Sequence, residues 1–222
     1  MHSSPLLTNI PGLRTGFGNN RELVPSSLCT HWDTVPVKIQ VHGTSVVEVT
    51  EKNQQCGDAD AFFTSVPGIP LTVITADCVP ILLARRDGKM IAVAHAGWRG
   101  MKDGVLAALW QQLQARGERP EDWVAAIGAH IRACCFEVSE ELANDFVQQY
   151  SDLDATLVRP SHRHLDLNFL ARVALKQIGI TEIDHHSACT LCSKNQDGKY
   201  VFRSYRRGDR NSFQHSGMLI LP

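Results

Sequence analysis

The sequence has almost no net charge, because 22 lysines and arginines are balanced by 23 aspartates and glutamates. A protein that binds nucleic acid through general electrostatic attraction would carry a clear positive excess, so this class is disfavoured. The sequence also lacks any apolar run close to the ~18 residues that a membrane helix needs. We therefore expect a soluble protein with neither a nucleic-acid nor a membrane partner.

The residues from Met1 to Pro5 contain neither a basic segment nor the start of a long apolar one, so no secretory signal is predicted. The seven cysteines form an odd number, which does not suit a complete disulfide framework. Together these absences favour the reducing cytoplasm. A single CxxC at 189–192 could be half of a zinc site or a redox pair. Because no second CxxC accompanies it, this motif and the pair Cys134–Cys135 are interpreted as packed, reduced thiols.

What the sequence has is the composition of a globular protein: 222 residues, of which 43% are hydrophobic and 20% charged. Residues 1–36 are rich in turn-forming types and are predicted to be mostly irregular, with a short helix starting near Asn20. The absence of repeats or linkers from Val37 onward favours a single domain over 1–222, of mixed α and β class. Apolar or alternating runs predict strands at 37–41, 46–49, 71–76, 90–94, 123–127, 200–205 and 213–221. Helical periodicity and capping residues predict helices at 102–116, 140–150 and 166–178.

Three segments place a metal-binding side chain at the end of a predicted strand, beside a glycine or proline: QVHG at 40–43, TADCVP at 75–80 and HAGWRG at 95–100. His42, Cys78 and His95 together offer two imidazoles and one thiolate. Three protein ligands with a fourth position open are typical of catalytic Zn²⁺. The separations along the chain are not specific, so packed or surface side chains are the alternative at this point.

The order of these motifs strengthens the metal hypothesis. QVHG, DADAFFTSVPG at 58–68, TADCVP, HAGWRG, AAIGAHIRACCFEV at 125–138 and SYRR at 204–207 follow one another. From about Asn20 to the C-terminus the sequence resembles the YfiH-like family, also called laccase-domain proteins or the polyphenol oxidase and purine nucleoside phosphorylase family. The chain departs from the family pattern in its shorter N-terminal segment and in having Ala129-His130 where a proline usually stands.

The resemblance implies a cytoplasmic, mostly monomeric α/β enzyme in which layered mixed β-sheets are flanked by helices. It implies one zinc ion held by His42, Cys78 and His95. The implied activity is purine nucleoside phosphorolysis, which converts adenosine, inosine or methylthioadenosine to the free base and ribose 1-phosphate, accompanied by adenosine deamination. Phosphate and a purine nucleoside are then the expected small-molecule partners.

Further residues are assigned to this chemistry. Arg99, Arg206 and Arg207 are the phosphate candidates, because a guanidinium group matches the oxygens of phosphate. Asp77 is predicted to act with Cys78 and His95, either as an acid or base or by orienting a ligand histidine. Asp60 and His130 complete the predicted substrate-binding set.

Other functions stay open at this stage. Copper could replace zinc in a polyphenol oxidase, but the chain has one HxH motif, at 162–164, where multicopper oxidases have several. Cys78 and His95 could instead serve as nucleophile and base in a metal-free hydrolase. A structural zinc or interaction protein is the non-enzymatic alternative. The arginines at 203–210 suit a phosphate pocket or a solvated hairpin better than a nucleic-acid surface.

Overall fold

The structure, a computed structural model, describes residues 3–222 and consists of layered sheets and helices. The strands are β1 (Leu13–Phe17), β2 (Val37–Ile39), β3 (Val46–Glu48), β4 (Gln55–Asp58), β5 (Ala61–Thr64), β6 (Leu71–Thr75), β7 (Val79–Arg85), β8 (Ile91–Ala96), β9 (Trp123–Ile127), β10 (Ile183–His185) and β11 (Gln214–Ile220). The helices are α1 (Pro5–Thr8), α2 (Ser26–Cys29), α3 (Trp98–Asp103), α4 (Val105–Ala115), α5 (Glu140–Gln149), α6 (Ala155–Val158) and α7 (Leu167–Ile178), with 3₁₀ turns at Trp32–Thr34 and Pro120–Asp122.

A six-stranded mixed sheet forms the central layer, in the order β10-β9-β7-β8-β5-β3. The outer pairs β10–β9 and β3–β5 are parallel, and the inner pairs are antiparallel. Because successive side chains of a strand point to opposite faces, β7 contributes to two cores. Ile81 and Leu83 pack against α4 and α7 on one face, whereas Leu82 and Ala84 face the other layer. The predicted α/β class with layered mixed sheets is confirmed.

The second layer is a three-stranded antiparallel sheet in the order β1-β11-β6, and it covers the face of the central sheet opposite the helices. Its strand β1 lies within residues 1–36, which the sequence pattern treats as mostly irregular; Met1 and His2 lie outside the described residues. The pattern misses β1 because its partner β11 is at the other end of the chain. The helix expected near Asn20 is also wrong, since α2 begins only at Ser26.

The three longer helices agree with their predicted positions. Ser139 and Asp166 cap α5 and α7 through their side-chain oxygens, and Gly179 ends α7 in the left-handed conformation. The strand expected at 200–205 is wrong, because this segment forms a loop whose only ladder contact is the bridge between Lys194 and Tyr200. No helix within residues 3–222 is long and apolar enough to cross a bilayer.

Candidate metal centre and active site

The side chains of His42, Cys78 and His95 meet at the end of the central sheet where β7 begins and β8 ends. His42 follows β2, Cys78 lies in the bend between β6 and β7, and His95 is the penultimate residue of β8. Their potential ligand atoms all lie within 4.8 Å of one another. The two imidazole rings stand edge to face with their centroids 4.8 Å apart. The structure thus brings together the three residues that the sequence motifs single out.

The carboxylate of Asp60 organises this group from beneath. It is fully buried and accepts a hydrogen bond of 2.7 Å from Nδ1 of His95. It also accepts hydrogen bonds from the backbone amides of Val41, His42 and Gly43, at 3.2, 3.0 and 2.7 Å. One side chain therefore fixes both the ring of His95 and the loop that carries His42. This geometry gives Asp60 a positioning role, and its contact with substrate stays a prediction.

The electrostatic setting favours a charged thiol and imidazole. Burial works against ionisation of Cys78, but hydrogen bonds with His42 and His95 outweigh it and lower the pKa of Cys78 to about 7. Burial also works against protonation of His95, yet Asp60 and Cys78 raise its pKa to about 9. The pKa of Asp60 is lowered despite its burial, because His95 and the Gly43 amide bond to it. Negative charge on Asp60 and Cys78 is what a cation at this place would neutralise.

The backbone at this centre adopts conformations that non-glycine residues seldom use. His42 has a φ of 63° and Asp77 a φ of 93°, both in the left-handed region. Gly97, directly after β8, leaves no room for a side chain, since a Cβ atom there would lie 2.8 Å from Cδ2 of His42 and 3.2 Å from Sγ of Cys78. Such local strain is maintained only where the surrounding structure enforces it.

The donor set fits a borderline metal ion such as Zn²⁺. Nδ1 of His95 is occupied by Asp60, so Nε2 is the nitrogen left for a metal, the usual arrangement of a carboxylate-oriented ligand histidine. Cys78 ionises near neutral pH, as ligation requires. Three protein donors leave one position for a substrate or water at a tetrahedral ion. The same residues are candidates for copper, and their chemistry alone does not select between the two metals.

Asp77, although adjacent to Cys78, directs its carboxylate away from this centre. Its Oδ1 accepts a hydrogen bond from Thr190 Oγ1 at 2.6 Å, and its Oδ2 accepts bonds from Ser204 Oγ at 3.0 Å and the Arg206 amide at 2.8 Å. It is buried, with 9% of its surface exposed. The structure therefore gives Asp77 the role of holding two loops together beneath the Cys78 bend.

The three arginines of the phosphate prediction occupy different settings. Arg99 is exposed in the first turn of α3, its guanidinium lies 4.6 Å from the centroid of the Trp98 ring, and no ion-pair partner occurs within residues 3–222. Arg206 is also exposed, and one of its nitrogens donates to the carbonyl of Glu137 at 2.9 Å. Both keep N–H groups available for an anion.

Arg207 is instead committed to the protein. Its guanidinium donates to the carbonyl oxygens of Thr190, Leu191 and Phe202 and pairs with Asp209. These bonds tie the 190–191 turn to the loop that follows it. Both terminal nitrogens of Arg207 are thus engaged within the protein, which leaves few of its N–H groups to bind phosphate.

His130 lies beneath the surface, away from solvent. Its Nδ1 donates to the carbonyl of Gly128 at 2.8 Å, and its Nε2 has no hydrogen-bond partner among the described residues. Burial lowers the pKa of His130 to about 4. It is fully buried, so the predicted substrate contact would require the surrounding loops to move.

Four cysteines form a second group of side chains that could bind a metal ion, and the sequence analysis did not assign them to a site. Cys134, Cys135, Cys189 and Cys192 place their sulfur atoms within 4.8 Å of one another. The interpretation as packed apolar thiols is wrong for two of them, because Cys134 and Cys192 are exposed. The signal available in the sequence was the pair of doublets, CC and CxxC, which the fold brings together from distant positions.

Comparisons with known proteins show the family to which the chain belongs. The family model described as multi-copper polyphenol oxidoreductase laccase matches residues 15–220. The chain belongs to this family. Proteins similar to it include a protein of Pseudomonas aeruginosa named purine nucleoside phosphorylase, 35% identical over 174 residues, and purine nucleoside phosphorylase YfiH of Escherichia coli, 34% identical over 169 residues.

The alignments cover most of this chain but about two thirds of those relatives. They span 77% and 76% of this chain, and 68% and 66% of the Pseudomonas and Escherichia proteins. A purine nucleoside phosphorylase of Aquifex aeolicus matches more evenly, at 29% identity over 94% of this chain and 93% of its own.

Solved structures of similar proteins show the same fold. YlmD from Geobacillus stearothermophilus superposes with a TM-score of 0.81 at 22% identity, over 99% of this chain and 94% of its own. A Neisseria meningitidis protein of the DUF152 family superposes with a TM-score of 0.76 at 26% identity, over 96% of each chain.

Proposed function

We propose that this protein is a zinc-dependent purine nucleoside phosphorylase that cleaves nucleosides such as adenosine, inosine and methylthioadenosine. The observation that carries the proposal is the convergence of His42, Cys78 and His95 above the buried carboxylate of Asp60. The names of the similar proteins from Pseudomonas, Escherichia and Aquifex support the same activity.

Phosphorolysis joins a phosphate oxygen to the anomeric carbon of ribose while the bond from that carbon to the purine nitrogen breaks. The enzyme must therefore hold a dianion beside a sugar that becomes positively charged. Arg99 is exposed and without an ion-pair partner within residues 3–222, so we assign it to phosphate, with Arg206 as a second cation. Guanidinium groups provide paired donors that match phosphate oxygens.

The remaining residues set the position and protonation of the centre. Asp60 holds the proton of His95 on Nδ1 and fixes the loop of His42, so both rings are oriented before substrate arrives. Asp77 holds the Cys78 bend through Thr190 and Ser204. A bound Zn²⁺ would supply Lewis acidity toward an oxygen of the substrate.

The activity is tested by incubating the purified, zinc-loaded protein with adenosine and phosphate and separating the products by chromatography. Adenine and ribose 1-phosphate are expected, and their formation should depend on phosphate. His42→Ala should reduce kcat/KM by at least about 100-fold. Mutation of a residue that only hydrogen-bonds to a metal ligand already lowers metal affinity or activity by about 10–100-fold, and His42 is itself a candidate ligand. His162→Ala, at an exposed histidine outside both cysteine and histidine groups, is the control and should retain activity.

The same experiment separates the competing activities. Adenosine deamination would yield inosine without need of phosphate, and we propose it as a second activity of this centre. Turnover that persists after complete metal removal would support a hydrolase using Cys78 and His95 and would contradict the proposal. Oxidation of a phenol that requires added copper, without nucleoside cleavage by the zinc form, would contradict it in favour of a polyphenol oxidase.

We also propose, from the free cysteines of the described residues, that the protein acts in the reducing cytoplasm. Its expected state is a monomer, which light scattering of the purified protein tests directly.

A further inference from the structure

The fold brings four cysteines together from two turns that are far apart in the sequence. Cys134 and Cys135 belong to the turn that follows Arg132, and Cys189 and Cys192 belong to the turn at 189–192. A β-bridge between His130 and Cys189 joins the two turns. The sulfur atoms of Cys134 and Cys192 are 3.9 Å apart, and all four lie within 4.8 Å of one another.

We propose that these four cysteines bind a second zinc ion, distinct from that of His42, Cys78 and His95. Four thiolates in a tetrahedron are the ligand set of structural zinc sites. A Zn–S distance of about 2.3 Å places tetrahedral sulfurs about 3.8 Å apart, and the observed separation of Cys134 and Cys192 is close to this.

The turn that carries Cys134 and Cys135 also directs a backbone donor at Cys189. The amide of Arg132, just before that turn, donates to Sγ of Cys189 at 3.4 Å. An N–H group that donates to a sulfur stabilises its thiolate form, which is the form that binds a metal.

Hydrophobic packing does not explain the arrangement. Cys189 is buried, but Cys134 and Cys192 are exposed, so burying apolar sulfur is not what holds them there. A disulfide would join only two of the sulfurs and leave the other two beside it. One ion that all four ligate accounts for the whole group, and the CxxC spacing of Cys189 and Cys192 is common at structural zinc.

The position of this cluster connects it with the first centre. Thr190, between the two cysteines of the CxxC, donates a hydrogen bond of 2.6 Å to Asp77, which directly precedes Cys78. Arg207 holds the carbonyls of Thr190 and Leu191 from the other side. A zinc ion in the cluster would fix the turn on which Asp77 rests, and so would position the bend that carries Cys78.

Metal content of the purified full chain tests the proposal. Protein prepared with a thiol reductant and without chelator should contain two zinc ions per chain. The double variant Cys189→Ser/Cys192→Ser should contain one, and the variant His42→Ala/Cys78→Ser should also contain one. Cys29→Ser removes an exposed cysteine that belongs to neither group and should retain two.

The metal alone serves as a spectroscopic probe. Titration of metal-free wild-type protein with Co²⁺ should give two binding steps, one of them with the strong sulfur-to-cobalt charge-transfer absorption of a tetrathiolate. The conservative variant Cys134→Ser, at an exposed position, should weaken this absorption and leave the other step unchanged. Because wild-type protein is sufficient for this measurement, misfolding of a variant would not decide the outcome.

Three results would overturn the proposal. The first is a single zinc ion in the wild type that is lost with His42→Ala/Cys78→Ser. The second is iron in place of zinc at the cysteines. The third is two fewer reactive thiols in denatured, unreduced protein than the seven cysteines supply, which would indicate a disulfide. Nucleoside cleavage is not part of this test, so failure of the proposed function and failure of the second zinc site are distinguishable.

Discussion

A single buried carboxylate, that of Asp60, holds most of the candidate metal centre of His42, Cys78 and His95 in place. It accepts hydrogen bonds from the ring of His95 and from three consecutive amides of the His42 loop. The orientation of two ligands therefore depends on one side chain that is not itself a ligand.

Replacing this carboxylate by an amide should weaken metal binding. In Asp60→Asn one acceptor oxygen becomes a donor that faces N–H groups, so we expect zinc affinity to fall about 10–100-fold. Competition with a chromophoric chelator measures this affinity. The control is Asp58→Asn, at an exposed residue two positions earlier, which should bind zinc as the wild type does. Equal affinity in the two variants would show that Asp60 does not position the ligands.

The three candidate ligands were predictable from the sequence because each stands in a motif beside a strand end. The role of Asp60 was not, since a sequence does not show where a buried carboxylate points. The same holds for Asp77, whose partners Thr190 and Ser204 come from more than a hundred positions away.

The junction between β8 and α3 admits only a glycine at position 97. A Cβ there would press on His42 and Cys78, whereas a Cβ at Gly43, in the opposing loop, would meet its neighbours at 3.6 and 3.7 Å, which is ordinary contact. The junction is thus shaped by the approach of two ligand side chains rather than by a positive φ.

Gly97→Ala should displace those side chains and lower zinc affinity by at least about tenfold, while the protein stays folded by circular dichroism. Gly43→Ala is the matched variant, because it adds the same methyl group at the same centre where space exists. We expect it to retain metal binding. Isothermal titration with Zn²⁺ compares the two, and indistinguishable affinities would contradict the steric argument.

Elements with strong local signals were predicted well, and elements that depend on distant partners were not. Helices α4, α5 and α7 carry helical periodicity and, for α5 and α7, capping side chains, so their positions follow from local sequence. Strand β1 exists because β11 pairs with it. The 200–205 segment is a loop because Arg207 donates to the carbonyl of Phe202 and Asp77 accepts from the amide of Arg206.

The folded molecule keeps two histidines uncharged. Burial lowers the pKa of His130 and of His215 to about 4 each. His215 lies on β11 with its ring edge to face against Trp32 at 4.9 Å, and its Nδ1 has no partner among the described residues. In the unfolded chain both would titrate near 6.5.

Stability should therefore fall on acidification. Below the unfolded pKa the unfolded chain takes up protons that the folded chain does not, so the free energy of unfolding decreases from about pH 6.5 towards pH 4. Each histidine contributes roughly 2 kcal/mol of this loss between pH 7 and pH 5. Urea unfolding of His215→Gln at both pH values should show a decrease smaller by roughly 2 kcal/mol than that of the wild type.

His162→Gln serves as the control for this measurement, because His162 is exposed. Its pH dependence should equal that of the wild type. Should His215→Gln lose stability on acidification as steeply as the control does, His215 would not be the source of the effect. Metal contributions are common to all three proteins and cancel in the comparison.

The pairing of β1 with β11 sets an order for the assembly of the molecule. All strands of the central sheet have been synthesised once residue 185 is available, whereas the three-stranded layer needs Gln214–Ile220 to complete it. On a ribosome, the apolar face formed by Leu82 and Val93 is therefore incompletely covered until β11 has been synthesised. Chain elongation through β11 is then the step that closes the molecule, and a pause before it would leave an aggregation-prone face in contact with solvent.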